Sequence, residues 1–421
     1  MIHTAAISSA DDAYCEKPRL TPEPALPANP VIESTEFAYR KTNIVKIDDE
    51  GVRLAAKHIH TKMRLETYTP RTWRTHPLHI CPPDPYAATD PQTKTCLDWI
   101  FLISALNFSF WSEREGTDER YGVRWFENWD EARREGGEGK TRVWTGYWSL
   151  VAALDRAMQD AIPITDPRFY SSETLCPDTL IERVFRPTEG CVESVPLLSQ
   201  RITIMREVGF ILCHGFGGSY QNFLTEFQRE HNGQGTALQL VQKVVDTFPS
   251  FRDEVFYEGR RVCIWKRAQI LVAETWAAFY PADSTTPHPL FPSGPNIHQL
   301  TMFADYRVPQ ILHHLRILTY PPSLVAKLRA GTMLEPGSAE ELSLRAASIV
   351  AVERVRNEMQ VLAAIESAGH GVTAGSDEVS SVLIDFYLWD LAKRVERGEE
   401  RIEGIETAEM VPTHRTRSVW Y

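Results

Sequence analysis

The segment LDWIFLISALNFSFW, residues 97–111, limits the possible folds more than any other stretch of the chain. Apolar side chains would surround a helix of this sequence on nearly every side, so the helix cannot lie at a surface. Other elements must cover it, which requires a large hydrophobic core. The chain has 421 residues, 43% of them apolar, and this is enough for one such core.

Helical patterns also dominate the rest of the chain. Apolar residues recur at helical spacing in three further segments, 147–158, 195–212 and 270–279. Ser338 and Glu341 form a capping pattern that begins a long helix reaching about residue 368, and a last helix is predicted from Ser376 to about residue 397. Because β-like runs are few and short, the sequence predicts a mainly α protein with few short strands.

We expect a single domain that follows a tail. Residues 1–35 are rich in Pro, Ala and Ser and cannot bury enough apolar surface to offset the entropy of ordering, so a disordered tail is predicted there. Residues 36–421 are predicted to form the domain. Two segments within it are interpreted as insertions at the surface, a charged, Gly-rich stretch near 113–140 and a Pro-rich loop near 281–296.

Charge and cysteine content exclude several classes of protein. The net charge is −11 and the basic residues are scattered, which argues against stable binding of long nucleic acid but leaves a single nucleotide possible. The seven cysteines include no CxxC pair, so neither a disulfide framework nor a zinc site is expected. No apolar run is long enough for a membrane span, and no signal peptide is recognised. We therefore expect a cytoplasmic protein without membrane contacts.

Two charged residues stand at predicted element boundaries. Asp305 precedes a helix that Pro309 opens, and the dipole of that helix favours an ionised carboxylate there. Lys266 follows a short β-like run and precedes an apolar helix, so its stem is expected to be buried. Either residue could instead have an ordinary role, Asp305 as a helix cap and Lys266 as a solvated side chain.

The last helix carries acidic groups on an otherwise core-like sequence. Asp385 and Asp390 can both line one cleft, but Asp390 could equally form a surface pair with Arg394, and Asp385 could be solvated. Phe386 would by default belong to the core. His79 lies in a Pro-rich segment, where it could face a ligand or serve only the structure.

Several of these residues lie in segments that together resemble the queuosine 5′-phosphate N-glycosylase/hydrolase family. The similar segments are LDWIFLISALNFSFW, TGYWSLVAALDRAMQDAIPIT, VCIWKRAQILVAETW, MFADYRVPQILHHL, VLIDFYLWDLA and HRTRSVWY. The resemblance runs from about residue 35 to Tyr421. It implies a fold similar to helix-hairpin-helix DNA glycosylases and hydrolysis of queuosine 5′-phosphate to queuine and ribose 5-phosphate, for salvage of queuine to tRNA modification.

The resemblance also implies roles for individual residues. Asp305 and Lys266 match the catalytic pair, and the base-binding positions match His79, Phe303, Asp305, Asp385, Phe386 and Asp390. The chemistry agrees, because cleavage of an N-glycosidic bond develops positive charge on the ribose that a carboxylate stabilises. Carboxylates also suit the N–H donors and the secondary ammonium of queuine, and aromatic rings stack on its base. The partner is then a small molecule, and no metal or cofactor is expected.

Two other functions remain open at this point. A non-catalytic helical nucleotide-binding or adaptor protein would use the same acidic and aromatic positions without cleaving the ligand. The third hypothesis is a DNA or RNA repair glycosylase. It ranks lowest because the chain is acidic and its sequence indicates no basic groove.

Overall fold

The computed structural model describes residues 29–133, 139–283, 285–370 and 379–421. These ranges contain mostly helices, which confirms the predicted mainly α class. The helices are α1 (Pro30–Thr42), α2 (Asp49–Leu65), α3 (Pro91–Leu106), α4 (Trp129–Ala132), α5 (Tyr147–Gln159), α6 (Pro167–Tyr170), α7 (Asp178–Val184), α8 (Leu198–Gly215), α9 (Tyr220–Glu230), α10 (Ala237–Thr247), α11 (Lys266–Ala278), α12 (Val308–His314), α13 (Pro322–Arg329), α14 (Ala339–His370) and α15 (Ser381–Glu396).

The strands form three two-stranded antiparallel pairs in the described residues. They are β1 (Lys46–Ile47), β2 (Gly122–Phe126), β3 (Thr141–Thr145), β4 (Glu254–Tyr257), β5 (Arg260–Cys263) and β6 (Leu318–Thr319). β1 pairs with β6, β2 with β3, and β4 with β5. The few short strands match the prediction, and none of the pairs extends into a larger sheet that could organise the fold.

The two most apolar helices form the centre of the core. Every residue of α11 is buried, and so is every residue of α3 from Cys96 to Leu106. α3 begins where Asp90 caps the first turn and Pro91 occupies the first helical position, and it then contacts α8, α9 and α11. The prediction that residues 97–111 lie in the core is confirmed.

The second group of helices surrounds α14, the longest helix. α14 contacts α1, α2, α12 and α15, so this helix lies beside elements from both halves of the sequence. Ser338 caps α14 through its hydroxyl, while Glu341 accepts a hydrogen bond from the backbone N–H of Gly337. α15 begins at Ser381 with Ser380 as its cap, so the predicted start at Ser376, which lies outside the described residues, was wrong.

The predicted tail extended too far into the chain. α1 begins at Pro30, and the side chain of Asn29 caps it by accepting a hydrogen bond from the backbone N–H of Val31. Residues 30–35 are therefore helical, because a Pro at the first helical position pre-sets the backbone angle there. The remainder of the predicted tail, residues 1–28, lies outside the described residues.

The two predicted insertions have different structures. The charged segment contains β2 and leads into β3, which gives a hairpin whose Trp125 and Trp144 are buried. The Pro-rich loop is held against the core, because the imidazole of His288 bonds to the carbonyl of Trp276 on α11 and Phe291 is buried. Other residues of this loop, such as Pro287 and Ser293, are exposed, so the loop lies at the surface and is anchored there by these side chains. The single domain and the insertions stay predictions.

The segment from α12 to α13 consists of a helix, a tight turn with β6, and a second helix. The similarity to helix-hairpin-helix DNA glycosylases stays a prediction. A search of the described helices for one that is long and apolar enough to cross a membrane finds none.

Candidate active site

One cavity of about 800 Å³ brings the predicted site residues together. All seven of them line it: His79, Lys266, Phe303, Asp305, Asp385, Phe386 and Asp390. They come from four parts of the chain, namely the Pro-rich segment before α3, the start of α11, the turn before α12, and α15. The fold therefore creates this constellation from residues that are far apart in the sequence.

Asp305 lies in the turn that precedes α12. Its Oδ1 accepts hydrogen bonds from the backbone N–H groups of Arg307 and Val308, both at 2.8 Å. Asp305 therefore caps the start of α12, which is the structural role that the sequence left open for it. Because both bonds use Oδ1, the other oxygen, Oδ2, remains for a ligand in the cavity.

Lys266 is the first residue of α11 and is only 4% exposed, so the solvated alternative was wrong. Its Nζ donates a hydrogen bond to the carbonyl of Asn107 at 3.4 Å. Burial lowers the pKa of Lys266 to about 8, against the opposing effect of the nearby Asp305 carboxylate. The ammonium and the carboxylate thus share one poorly hydrated space.

A buried ion pair connects the backbones that carry these two residues. Arg345 on α14 binds both oxygens of Asp253, at 3.1 and 2.6 Å, and its Nε donates to the carbonyl of Ala304 at 3.2 Å. Asp253 in turn accepts from the backbone N–H of Lys266 at 3.4 Å. Arg345 therefore connects the start of α11 to the turn that bears Asp305. Nothing in the local sequence indicated this role.

Asp385 faces the cavity from the first half of α15. Its Oδ1 accepts a hydrogen bond from the backbone N–H of Phe303 at 2.9 Å, and the side chain is buried, so the solvated alternative was wrong. Burial, and then the charge of Asp305, raise the pKa of Asp385 well above its usual range. The rings of Phe303 and Phe386 lie 5.9 Å apart and together provide aromatic surface beside this carboxyl group.

Asp390 follows one turn later on α15. Its Oδ2 accepts a hydrogen bond from the hydroxyl of Tyr68 at 3.0 Å, and burial raises its pKa. Arg394 pairs instead with Glu66 and Glu400, at 3.1 and 2.8 Å. The proposed surface pair between Asp390 and Arg394 was therefore wrong, and Asp390 is available to the cavity.

His79 approaches the cavity from a rigid segment. Its Nδ1 lies 2.6 Å from the carbonyl oxygen of Trp73, and its ring stacks on the indole of the same residue at 4.0 Å. A carbonyl only accepts, so Nδ1 carries the proton, while burial lowers the pKa of His79 to about 4. The neutral ring then offers Nε2 as an acceptor.

The sequence did not identify several other residues that line the cavity. Lys393 is enclosed by two indole rings, with Nζ 3.8 Å from the ring centre of Trp389 and 5.3 Å from that of Trp148. Burial lowers the pKa of Lys393 well below its usual range, and the charges of Arg307 and Arg397 add to this. The spacing of four residues between Trp389 and Lys393 was a usable signal, because such residues are neighbours on a helix.

Glu274 is a second residue that the sequence did not single out. It lies eight residues after Lys266 on α11, so both side chains line the cavity from one face of that helix. The cavity also contains cationic groups that could hold an anion, and these are Arg120, Arg307, Lys393, Arg397 and Arg415. Within the described residues, no group of three or more His, Cys, Asp or Glu side chains could hold a metal ion.

Comparison with known proteins relates this site to a family. The model of the queuosine salvage protein family matches residues 87–421. The chain is 36% identical over 396 residues to the queuosine 5′-phosphate N-glycosylase/hydrolase of Schizosaccharomyces pombe, covering 93% of this chain and 99% of the relative. Proteins of the same description from Mus musculus and Sphaerobacter thermophilus are 35% and 32% identical, covering 92% and 93% of this chain and 98% and 97% of theirs. The chain therefore belongs to the queuosine salvage protein family.

Proposed function

We propose that this protein hydrolyses the N-glycosidic bond of queuosine 5′-phosphate and releases queuine and ribose 5-phosphate. The observation that carries the proposal is the single cavity in which a carboxylate, a buried lysine, two further carboxyl groups and two aromatic rings meet. Relatives named for this activity match more than nine-tenths of the chain, which supports the same reaction here.

Asp305 is the group proposed to act on the sugar. As the bond between C1′ and the base breaks, positive charge develops on the ribose ring, and a carboxylate against that ring stabilises it. Oδ1 is occupied by the two backbone N–H groups of α12, which fixes the direction of Oδ2. A fixed, poorly hydrated carboxylate is more effective than a mobile one, because it needs no reorganisation during the reaction.

The departing base must be held while the bond breaks. Asp385 and Asp390 are proposed to accept hydrogen bonds from the N–H groups of the base, since carboxyl oxygens match such donors. Phe303 and Phe386 are proposed to stack on its flat ring, a contact worth about 1–3 kcal/mol per base. His79 contributes a neutral acceptor nitrogen at the same cavity wall.

The phosphate is proposed to bind at Arg307, Lys393 and Arg397. Burial lowers the pKa of Lys393, and the charges of Arg307 and Arg397 lower it further, so a phosphate between the three groups would relieve the repulsion among them. Arg307 also lies only two residues after Asp305, which suits a group attached to the same ribose. In this assignment Lys266 serves the reaction rather than the phosphate.

We also propose that the substrate is the free nucleotide and that the reaction takes place in the cytoplasm. The net charge of −11 supports a small substrate over an RNA chain. The six cysteines within the described residues are all free thiols, as is usual in a reducing compartment. Incubation with an RNA oligonucleotide that contains queuosine tests the first point, and cell fractionation tests the second.

The direct test is incubation of the purified protein with queuosine 5′-phosphate. Mass spectrometry should detect queuine and ribose 5-phosphate in equal amounts, and the Asp305→Asn variant should release neither. A protein that binds the nucleotide but releases no queuine would instead be a binding or adaptor protein, and that result would overturn the proposal.

The phosphate assignment has its own test. Lys393→Met should raise the KM for queuosine 5′-phosphate about tenfold or more, while the KM for unphosphorylated queuosine should change little. Arg415→Met, on another part of the cavity wall, is the matched control. It should leave the ratio of the KM values for the phosphorylated and the unphosphorylated substrate unchanged. If the Arg415 variant alone changed the ratio, the phosphate would have to be placed at Arg415.

A further inference from the structure

Glu274 is a buried acid in the cavity that the proposed reaction does not use. It is 7% exposed and lies on the face of α11 that also carries Lys266 and Ile270, all three of which line the cavity. Eight residues of helix place it about 12 Å along the axis from Lys266. Glu274 and Lys266 therefore line the cavity from positions about two helical turns apart.

The carboxyl group of Glu274 is only partly satisfied. Its Oε1 accepts a hydrogen bond from the hydroxyl of Tyr147 at 3.4 Å, whereas its Oε2 has no partner with full hydrogen-bond geometry among the described residues. Ser104 and Trp73 lie nearby and favour the charged form, but burial dominates and raises the pKa of Glu274 to about 8. No cation is paired with it in the described structure. An acid that served only the structure would lower the stability of the fold at this position, because it is buried without a cation or a full set of hydrogen bonds.

The position of Glu274 indicates which part of a ligand it would meet. Asp385 belongs to the reaction end, because Asp305 and Lys266 both influence its pKa. Glu274 instead lies beside Trp73, the residue on which His79 stacks. In queuosine 5′-phosphate, the group that extends from the base away from the sugar is the arm with a secondary ammonium. A carboxylate is the natural partner of a cation in a poorly hydrated cavity.

We propose that Glu274 pairs with the ammonium of the substrate's arm and thereby selects 7-deazaguanine bases with a cationic arm over those with a neutral arm. This inference rests on the proposed function. Glu274 is mostly protonated in the empty cavity at neutral pH, and the approaching ammonium favours its ionised form. Binding therefore transfers one proton from Glu274 to the solvent, and no covalent bond changes.

Calorimetric titration with two matched bases tests the selection. The probes are 7-aminomethyl-7-deazaguanine, which is cationic, and 7-hydroxymethyl-7-deazaguanine, which has nearly the same shape and no charge. Glu274→Gln should weaken binding of the cationic base about tenfold or more and change binding of the neutral base less than about threefold. Glu353→Gln is the control, since Glu353 is also a buried acid, does not line the cavity and pairs with Arg356.

Proton release on binding gives a second measurement. At pH 7, titrations in two buffers of different ionisation enthalpy should show release of nearly one proton with the cationic base and none with the neutral base. The release should diminish as the pH rises through about 8, where free Glu274 is already ionised. Of the groups beside Glu274, namely Tyr147, Ser104 and Trp73, only Tyr147 titrates, and burial raises its pKa well above the range used.

Lys266 also has a pKa of about 8, so the Glu274→Gln variant must abolish the release if Glu274 is its source. Equal proton release with both bases, or equal loss of affinity for both in the variant, would overturn the inference. Wild-type protein that binds both bases equally well would overturn it too, while leaving queuosine hydrolysis intact. Wild-type protein that binds neither base and releases no queuine would contradict the proposed function itself.

Discussion

The carboxyl group of Asp385 accepts a hydrogen bond from the backbone N–H of Phe303 at 2.9 Å. This bond joins the last helix to the turn that bears Asp305, two residues further on. Burial raises the pKa of Asp385 well above its usual range, and the charge of Asp305 raises it further. Burial therefore favours the neutral form of Asp385 in the empty cavity.

The Asp305→Asn variant should lose queuine release by about 10²-fold or more, because the charge that stabilises the ribose cation is removed. Binding of queuine should change only a few-fold. The amide oxygen of Asn can still accept from the backbone N–H groups of Arg307 and Val308, so folding should be preserved. Single-turnover release of queuine and calorimetric binding of queuine measure the two effects. A nearly wild-type rate would remove Asp305 from the mechanism.

Asp305→Ala is the matched comparison, because it loses both the charge and the cap of α12. Its unfolding free energy should fall by about 1 kcal/mol more than that of Asp305→Asn. Equal stability of the two variants would show that the helix cap is unimportant and that the carboxylate is retained for activity alone.

Lys266→Met should make the protein more stable at pH 7 and much less active. At pH 7 the lysine is charged in both the folded and the unfolded chain, so the folded state bears the full penalty of burying the charge. Between pH 8 and the ordinary pKa of 10.5 the folded chain loses its proton first, and the penalty disappears. The gain from methionine should therefore be up to about 3 kcal/mol at pH 7 and should approach zero near pH 10.5.

Urea unfolding at several pH values measures this difference. The exposed Lys57 provides the control, because Lys57→Met should give no gain that depends on pH. Parallel stability curves for wild type and Lys266→Met would show that the ammonium is not desolvated. If Lys266→Met raised only the KM for the phosphorylated substrate and left turnover unchanged, Lys266 would hold the phosphate instead.

Two truncations test the corrected boundary of the tail. Removal of residues 1–27 should leave activity and melting temperature nearly unchanged, since that composition predicts no packing. Removal of residues 1–35 also deletes Asn29, whose amide donates to the carbonyl of Gln299, and Ser34, which bonds to the backbone of Cys263 at 3.0 and 3.1 Å. The longer truncation should lower the unfolding free energy by about 2–4 kcal/mol. Equal melting temperatures for both would contradict the anchoring role of α1.

The sequence predicted the structure correctly where a local pattern allows only one arrangement. The segment 97–111 is apolar on nearly every side, and only a core position satisfies it. Likewise, the turn with Asp305 was predictable from Pro309, because proline fixes where α12 can begin. The boundary at Pro30 was missed because Asn29 is a single capping residue at the end of a Pro- and Ala-rich stretch. The average composition of that stretch does not reveal one capping residue.

The remaining site residues depend on which faces of the fold meet. Glu274 lies in an all-buried helix, and no local pattern distinguishes its side chain from one that is simply packed in the core. Tyr68 reaches Asp390 across more than 300 residues of sequence, and Arg345 connects two segments that are distant from it along the chain. Such contacts follow from the arrangement of α11, α14 and α15, which a single sequence does not determine.

Asp390→Asn should weaken the binding of queuine about tenfold, because the amide keeps the acceptor for the hydroxyl of Tyr68 but loses the charge that attracts N–H donors of the base. Tyr68→Phe should have a smaller effect, since Asp390 keeps its charge. Arg394→Met breaks the pairs with Glu66 and Glu400 outside this contact, so it should lower stability slightly and leave queuine affinity unchanged. Calorimetric titration of each folded variant decides the matter. Unchanged affinity in Asp390→Asn, together with reduced affinity in Arg394→Met, would return Asp390 to a structural role and move the base away from this part of α15.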